Sequence, residues 1–186
     1  SKKIKVGVVG SGTMGNGIAH VFSMYGYNVI LLDLSQNILD NALNMISANM
    51  QRQCKKNIIS NNDMNNALSK IEASTKIEDL SDCNLVIEAI KEDVDIKSEI
   101  FKKIDTVCHE NTIFASNTSS ISINTLSKNF KNPDKFIGMH FMNPVPVMKL
   151  VEVINGKKTS NSTTDFIISV SKSLDKIPIE CNDAPG

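Results

Sequence analysis

Apolar and polar positions follow two rhythms along this chain: short β-branched runs, and longer stretches with an apolar residue every three or four positions. The first run, Ile4 to Val9, leads directly into Gly10-x-Gly12-x-x-Gly15 and then into a helical pattern carrying Ile18, Val21 and Phe22. Gly26 reads as the helix stop, and Asn28 to Asp33 as a second buried strand that ends in an acid. Ser35 is placed to cap a long helix reaching about Lys56, with Ile38, Leu39, Ala42, Leu43, Met45, Ile46 and Met50 at helical spacing. Asn57 to Asn62 predict a turn, and Asp63 to Lys70 a short returning helix. The result is a helical arm longer than a minimal crossover.

Ile71 to Ser74 predicts a short third strand. Leu85 to Ile90 predicts a clearer one, with Glu88 where a buried strand would stay apolar. An amphipathic helix from Asp93 to Cys108 turns Val94, Ile100, Phe101, Ile104 and Val107 inward. A strand over Thr112–Ser116 then ends in the polar loop Asn117 to Ser120, followed by a short helix around Ile123 and Leu126. The last third predicts a strand over Phe136–Phe141, a sharp turn at Asn143-Pro144-Val145-Pro146 and a partner strand over Lys149–Ile154. A helix over Thr163–Leu174 and a strand over Lys176–Cys181 complete it. Apolar strands alternating with helices predict an α/β fold: a Rossmann-type, doubly wound, mostly parallel sheet with the helical arm inserted after the second strand. Ligands of such sheets bind beyond the strand C-termini, where Asp33, Ile90 to Glu92 and Asn117 to Ser120 all fall. Asp183-Ala184-Pro185-Gly186 carries a linker signal, which predicts a further domain beyond residue 186.

A chain of 186 residues with 41% hydrophobic and 22% charged residues suits one substantial core. Twenty Lys and Arg balance twenty Asp and Glu, so no net field draws nucleic acid or a membrane. Cys54, Cys83, Cys108 and Cys181 are scattered without a C-x-x-C pair, which predicts reduced thiols, no disulfide framework and no metal site. Lack of a membrane-length apolar run or a leader before the first strand predicts a cytoplasmic protein.

The glycine motif has a specific physical meaning between a strand and a helix. Gly10 allows the tight turn, Gly12 lets backbone approach a pyrophosphate, and Gly15 lets the helix pack on the strand. Phosphates would then meet unpaired amides at the positive end of the helix dipole. Asp33 stands at the spacing, about 20 residues on, of the acid that binds the adenosine ribose. A carboxylate there predicts NAD over NADP, because it would repel a 2′-phosphate.

An NAD enzyme oxidising an alcohol needs a base and a group that orients it. His140 titrates in the right range, and Glu152 lies past a short turn, on a strand able to neighbour that of the histidine. Ser119 and Asn143 sit on loops flanking the same edge, where either could bond a substrate oxygen or simply cap a turn. The basic group Arg52, Lys55 and Lys56 near the arm's tip reads as solvated surface or as a phosphate contact.

Five blocks together resemble the 3-hydroxyacyl-CoA dehydrogenase family, nearest to its bacterial 3-hydroxybutyryl-CoA members. They are Val8 to Gly15, Val86-Ile87-Glu88-Ala89, Ser116 to Ser120, Gly138 to Pro144 and Met148 to Val153. The resemblance implies reversible NAD-dependent oxidation of an (S)-3-hydroxyacyl-CoA, in fatty acid or butyrate metabolism. It implies His140 as base, Glu152 as its partner, and Ser119 and Asn143 beside the reacting groups and the nicotinamide. Gly10, Gly12, Thr13, Met14, Gly15, Asp33, Glu92 and Lys97 fall at its cofactor positions, and Lys56, with Ser119, at its CoA-substrate positions. It further implies a helical, dimerising domain after residue 186, so that the full protein forms a homo-oligomer. Two alternatives are a dehydrogenase of a free β-hydroxy acid, and a non-catalytic NAD-binding module.

Overall fold

The computed structural model describes residues 4–183, so the Ala184-Pro185-Gly186 part of the linker signal lies outside the described residues. The described strands form one sheet. In chain order they are β1 (Lys5–Val9), β2 (Asn28–Leu32), β3 (Ile71–Ser74), β4 (Leu85–Glu88), β5 (Ile113–Ser116), β6 (Phe136–Phe141), β7 (Leu150–Asn155) and β8 (Ile177–Asn182). In space they run β3-β2-β1-β4-β5-β6-β7-β8. Neighbours from β3 through β6 are parallel, β7 joins β6 antiparallel, and β8 is parallel to β7. The first six positions reproduce the doubly wound order, whose reversal between β1 and β4 opens a ligand crevice at the strand C-termini.

The helices are α1 (Thr13–Met24), α2 (Gln36–Lys55), α3 (Asn61–Ser69), α4 (Val94–Val107), α5 (Ile123–Ser127) and α6 (Asn161–Ser173). They cover both faces of the sheet. Val6, Val8, Val29, Leu31, Leu85 and Ile87 pack in one core with Ile18, Leu39 and Ile167. Val9, Ile30, Leu32 and Val86 pack in another with Phe101 and Ile104 of α4. Because successive side chains alternate between two apolar layers, runs such as Val29 to Leu32 and Leu85 to Ile87 are apolar at consecutive positions instead of every second one.

The arm is present, with two differences from the sequence pattern. Ile38 and Met45 are exposed, and the buried stripe of α2 is Leu39, Ala42, Ile46 and Met50. That stripe already fills the face turned to its neighbours, so the flanking apolar positions meet solvent. Helix α3 starts at Asn61, inside the expected turn, because Ser60 and Asp63 form a reciprocal capping box. Ser35 caps α2 as its position implied, accepting from Ile38 N. No helix among the described residues is long and apolar enough to cross a membrane.

Candidate active site

The β1–α1 turn builds the first half of the site. Gly10 adopts φ 98, a left-handed conformation that favours glycine, and its N–H donates to Leu32 O at 2.8 Å. A Cβ on Gly15 would fall 1.8 Å from Gly10 O, so only glycine lets α1 begin this close to the turn. Gly12 differs: nothing lies within 4 Å of where its Cβ would stand. It precedes a helix with no side-chain cap and no acid in its first turn. Open space, uncapped amides and the helix dipole together fit an anionic pyrophosphate.

Next to this turn runs a groove of about 620 Å³ between Gly10, Asp33 and the start of α4. Asp33 follows β2, and its Oδ2 accepts from Ser11 N at 2.8 Å and Ser11 Oγ at 2.6 Å. Oδ1 accepts from Leu34 N at 2.7 Å. The carboxylate is thus held at the groove wall.

A second cleft of about 270 Å³ lies across the crevice and is lined by Met14, Ser119, His140 and Asn143. Ala89 and Ile90 line both cavities, so one extended ligand can run from groove to cleft. His140 and Glu152 are directly opposite in the β6–β7 register. His140 Nδ1 donates to Glu152 Oε1 at 3.0 Å. A carboxylate can only accept, so Nδ1 carries the proton and Nε2 is the nitrogen available to the cleft.

Ser119 is anchored from below. Both its N and its Oγ donate to Glu92 Oε2, at 2.9 and 3.1 Å. Thr118 Oγ1 and the N and Oγ of Ser120 donate to the same carboxylate. Partial burial pushes the Glu92 carboxyl up, but the Ser119 amide, the Thr118 hydroxyl and the Lys97 charge outweigh it and hold it at about 2. Lys97 lines the cleft yet is 1% exposed. Its ammonium bonds Glu88 at 2.5 Å and Ile90 O at 3.2 Å and lies 3.3 Å from Glu92. Lys56, with Arg52 and Lys55, is exposed at the end of α2 and lines neither cavity.

Several residues shape this site without standing out as site residues in the sequence. Glu88 was conspicuous as an acid in an apolar run; the structure ends β4 there and buries it completely. Asn117 Oδ1 accepts from Phe141 N at 2.8 Å, tying the Ser119 loop to the strand that carries His140. Asp183, expected in a linker, instead accepts from Ser122 Oγ, Ile123 N and Asn124 N at the start of α5. A polar residue in a loop leaves no periodic signal of a partner so distant in sequence, so Asn117 and Asp183 carried none. His20 is buried in α1 with Nε2 on Gln53 Oε1 at 2.9 Å, and burial lowers its pKa. Among the described residues, no group of His, Cys, Asp and Glu could hold a metal ion.

Residues 5–184 match the family described as "3-hydroxyacyl-CoA dehydrogenase, NAD binding domain". The chain is 44% identical over 183 residues to 3-hydroxybutyryl-CoA dehydrogenase of Clostridioides difficile, covering 98% of this chain and 65% of the relative. It is 41% identical to the human mitochondrial hydroxyacyl-coenzyme A dehydrogenase, over 97% of this chain and 60% of that protein. Among solved structures, (S)-3-hydroxybutyryl-CoA dehydrogenase from Ralstonia eutropha superposes with a TM-score of 0.96 at 44% identity. That match covers 99% of this chain and 65% of the other. The chain therefore spans somewhat under two thirds of the length of these relatives.

Proposed function

The chain belongs to the 3-hydroxyacyl-CoA dehydrogenase family, whose NAD-binding domain it is, and from that premise we propose that it serves the reversible oxidation of (S)-3-hydroxyacyl-CoA to 3-ketoacyl-CoA. The 3-hydroxybutyryl thioester is the proposed substrate, on its likeness to relatives that carry that name. One observation supports the reading above the rest: an oriented imidazole, 3.0 Å from its carboxylate, opens on a cleft continuous with the dinucleotide groove.

In the proposed reaction Asp33 and the glycine turn bind the adenosine ribose and the pyrophosphate, and Ser119 and Asn143 border the nicotinamide. Bound nicotinamide supplies the hydride acceptor. His140 Nε2 would take the proton from the substrate hydroxyl oxygen while the hydrogen on the carbon bearing that hydroxyl departs as hydride, and Glu152 would hold Nδ1–H and stabilise the imidazolium. In the reverse direction His140 returns the proton to the alkoxide oxygen. Lys56, exposed on the arm, is the proposed cation for the CoA phosphates. A helical domain beyond residue 186 that pairs two copies belongs to the same proposal.

The test is NADH oxidation by the natural protein that carries this chain, with acetoacetyl-CoA and, separately, free acetoacetate. Turnover with the thioester alone is expected, and His140→Gln should lower it by about 10²–10⁴-fold with NADH affinity unchanged. Undiminished turnover in that variant would remove His140 from the mechanism. Equal turnover of free acetoacetate would move the substrate class to free β-hydroxy acids.

A further inference from the structure

Beneath the Ser119 loop lies a buried polar network that the reaction above leaves unused. Glu88 is 0% exposed at the last position of β4. Its Oε1 accepts from Ser116 Oγ at 2.5 Å, and its Oε2 from Lys97 Nζ at 2.5 Å and Ile90 N at 2.7 Å. Ser116 Oγ in turn accepts from Thr118 N at 3.2 Å. The Lys97 ammonium thus has three protons and three oxygen neighbours: Glu88, Ile90 O and Glu92. Glu92 passes the chain on to Thr118, Ser119 and Ser120.

We infer that Glu88 is a positioning residue for the nicotinamide half of the cofactor site, acting through Lys97 and Ser116 on the loop that carries Ser119. A buried cation is costly unless acceptors, a carboxylate above all, satisfy its charge and its protons. With Glu88 ionised, Lys97 is satisfied by a carboxylate below it, and Glu92 keeps an oxygen for the loop amides and hydroxyls. With Glu88 neutralised, Glu92 is the remaining carboxylate within reach. The ammonium then draws Glu92 inward, and Ser119 loses the acceptor for both its N–H and its hydroxyl. The inference rests on the proposed place of the nicotinamide beside Ser119. Asp33 and the glycine turn make none of these contacts, and the network meets the adenosine groove only at the backbone of Ile90, so the adenosine half should respond far less.

That asymmetry separates positioning from simple structural support. Affinities of this chain for NADH and for ADP-ribose, which lacks only the nicotinamide, are measured by calorimetry alongside Tm. The emission spectrum of bound NADH is recorded as a probe of the ring's surroundings. In Glu88→Gln the NADH Kd is expected to rise about tenfold, the scale of one stranded buried hydrogen bond. The ADP-ribose Kd should stay within about twofold of wild type, and the NADH emission should move toward that of free NADH. Should that variant fail to fold, Ser116→Ala cuts only the neutral branch, and a selective loss of about threefold is expected there. Equal losses for both ligands, or unchanged NADH binding with a lowered Tm, would reduce Glu88 to a structural ion pair and overturn the inference. If the wild-type chain itself binds NADH no more tightly than ADP-ribose, the nicotinamide placement fails, and the inference fails with it.

Discussion

Gly12→Ala and Gly15→Ala change the same motif by the same methyl group and should fail in opposite ways. At Gly15 the new carbon would stand 1.8 Å from Gly10 O and 2.7 Å from Gly10 C, against an ordinary contact of 3.4–4 Å. Both obstructing atoms are backbone, held by the Gly10 N–H bond to Leu32 O, so α1 would have to back away from the turn. Overpacking against a rigid neighbour costs about 3 kcal/mol or more, a large share of a domain's roughly 5–15 kcal/mol of stability. A Tm lower by at least about 6 °C is expected. At Gly12 the backbone is φ −68, accessible to alanine, and nothing lies within 4 Å of the methyl. Stability should therefore stay within about 1 kcal/mol. The space the methyl fills is where a pyrophosphate would approach the amides of α1, so losing two charge-assisted contacts costs about 3 kcal/mol, roughly a hundredfold in Kd. Thermal melts and NADH titrations of the two variants decide the matter. A Gly12→Ala chain that binds NADH as wild type does would refute this account of the phosphate site.

Acid should weaken the carboxylate anchor of the Ser119 loop, and neutral pH should leave it intact. Glu92 is held at about 2, below its ordinary 4.5, so its stabilisation is fully present above about pH 5 and is lost as pH falls toward 2. Its side chain is 37% exposed, and solvent screening reduces the effect to roughly 1–2 kcal/mol. In urea melts the gap between wild type and Glu92→Gln should narrow by about 1 kcal/mol from pH 6 to pH 3, and a constant gap would count against it. Lys176 is buried and donates to Val145 O and Met148 O at 2.6 Å each, bracing the turn between β6 and β7. Lys176→Met strands both carbonyls and should lower stability by about 2 kcal/mol, read as a Tm about 4–8 °C lower. Burial pushes the Cys83 and Cys108 thiols up to about 12. Both should resist iodoacetamide at pH 8 in the native chain and react after unfolding, as read by mass spectrometry.

The sequence by itself determined most of the elements and the glycine turn that suits a dinucleotide. Continuous apolar runs such as Val6 to Val9 imply strands covered on both sides, and Gly10-x-Gly12-x-x-Gly15 with Asp33 is a local arrangement whose geometry follows from its spacing. It also put His140 and Glu152 forward as the pair for the proposed proton transfer, since few titratable groups stand at a strand edge near a turn. Only the tertiary structure decided which partners meet across the chain. Strand β7 turns back antiparallel, and that register sets Glu152 against His140. The row Val9, Glu88 and Ser116 aligns three strand ends that lie far apart in sequence, which turns an oddly acidic strand residue into the base of the Ser119 loop. Periodicity reports which face of an element is apolar, and it found the stripe of α2 while overstating it at Ile38 and Met45. It carries no information about a hydrogen bond whose two ends belong to different elements. The contacts of Lys97, Asn117 and Asp183 are of that kind, so folding alone reveals them.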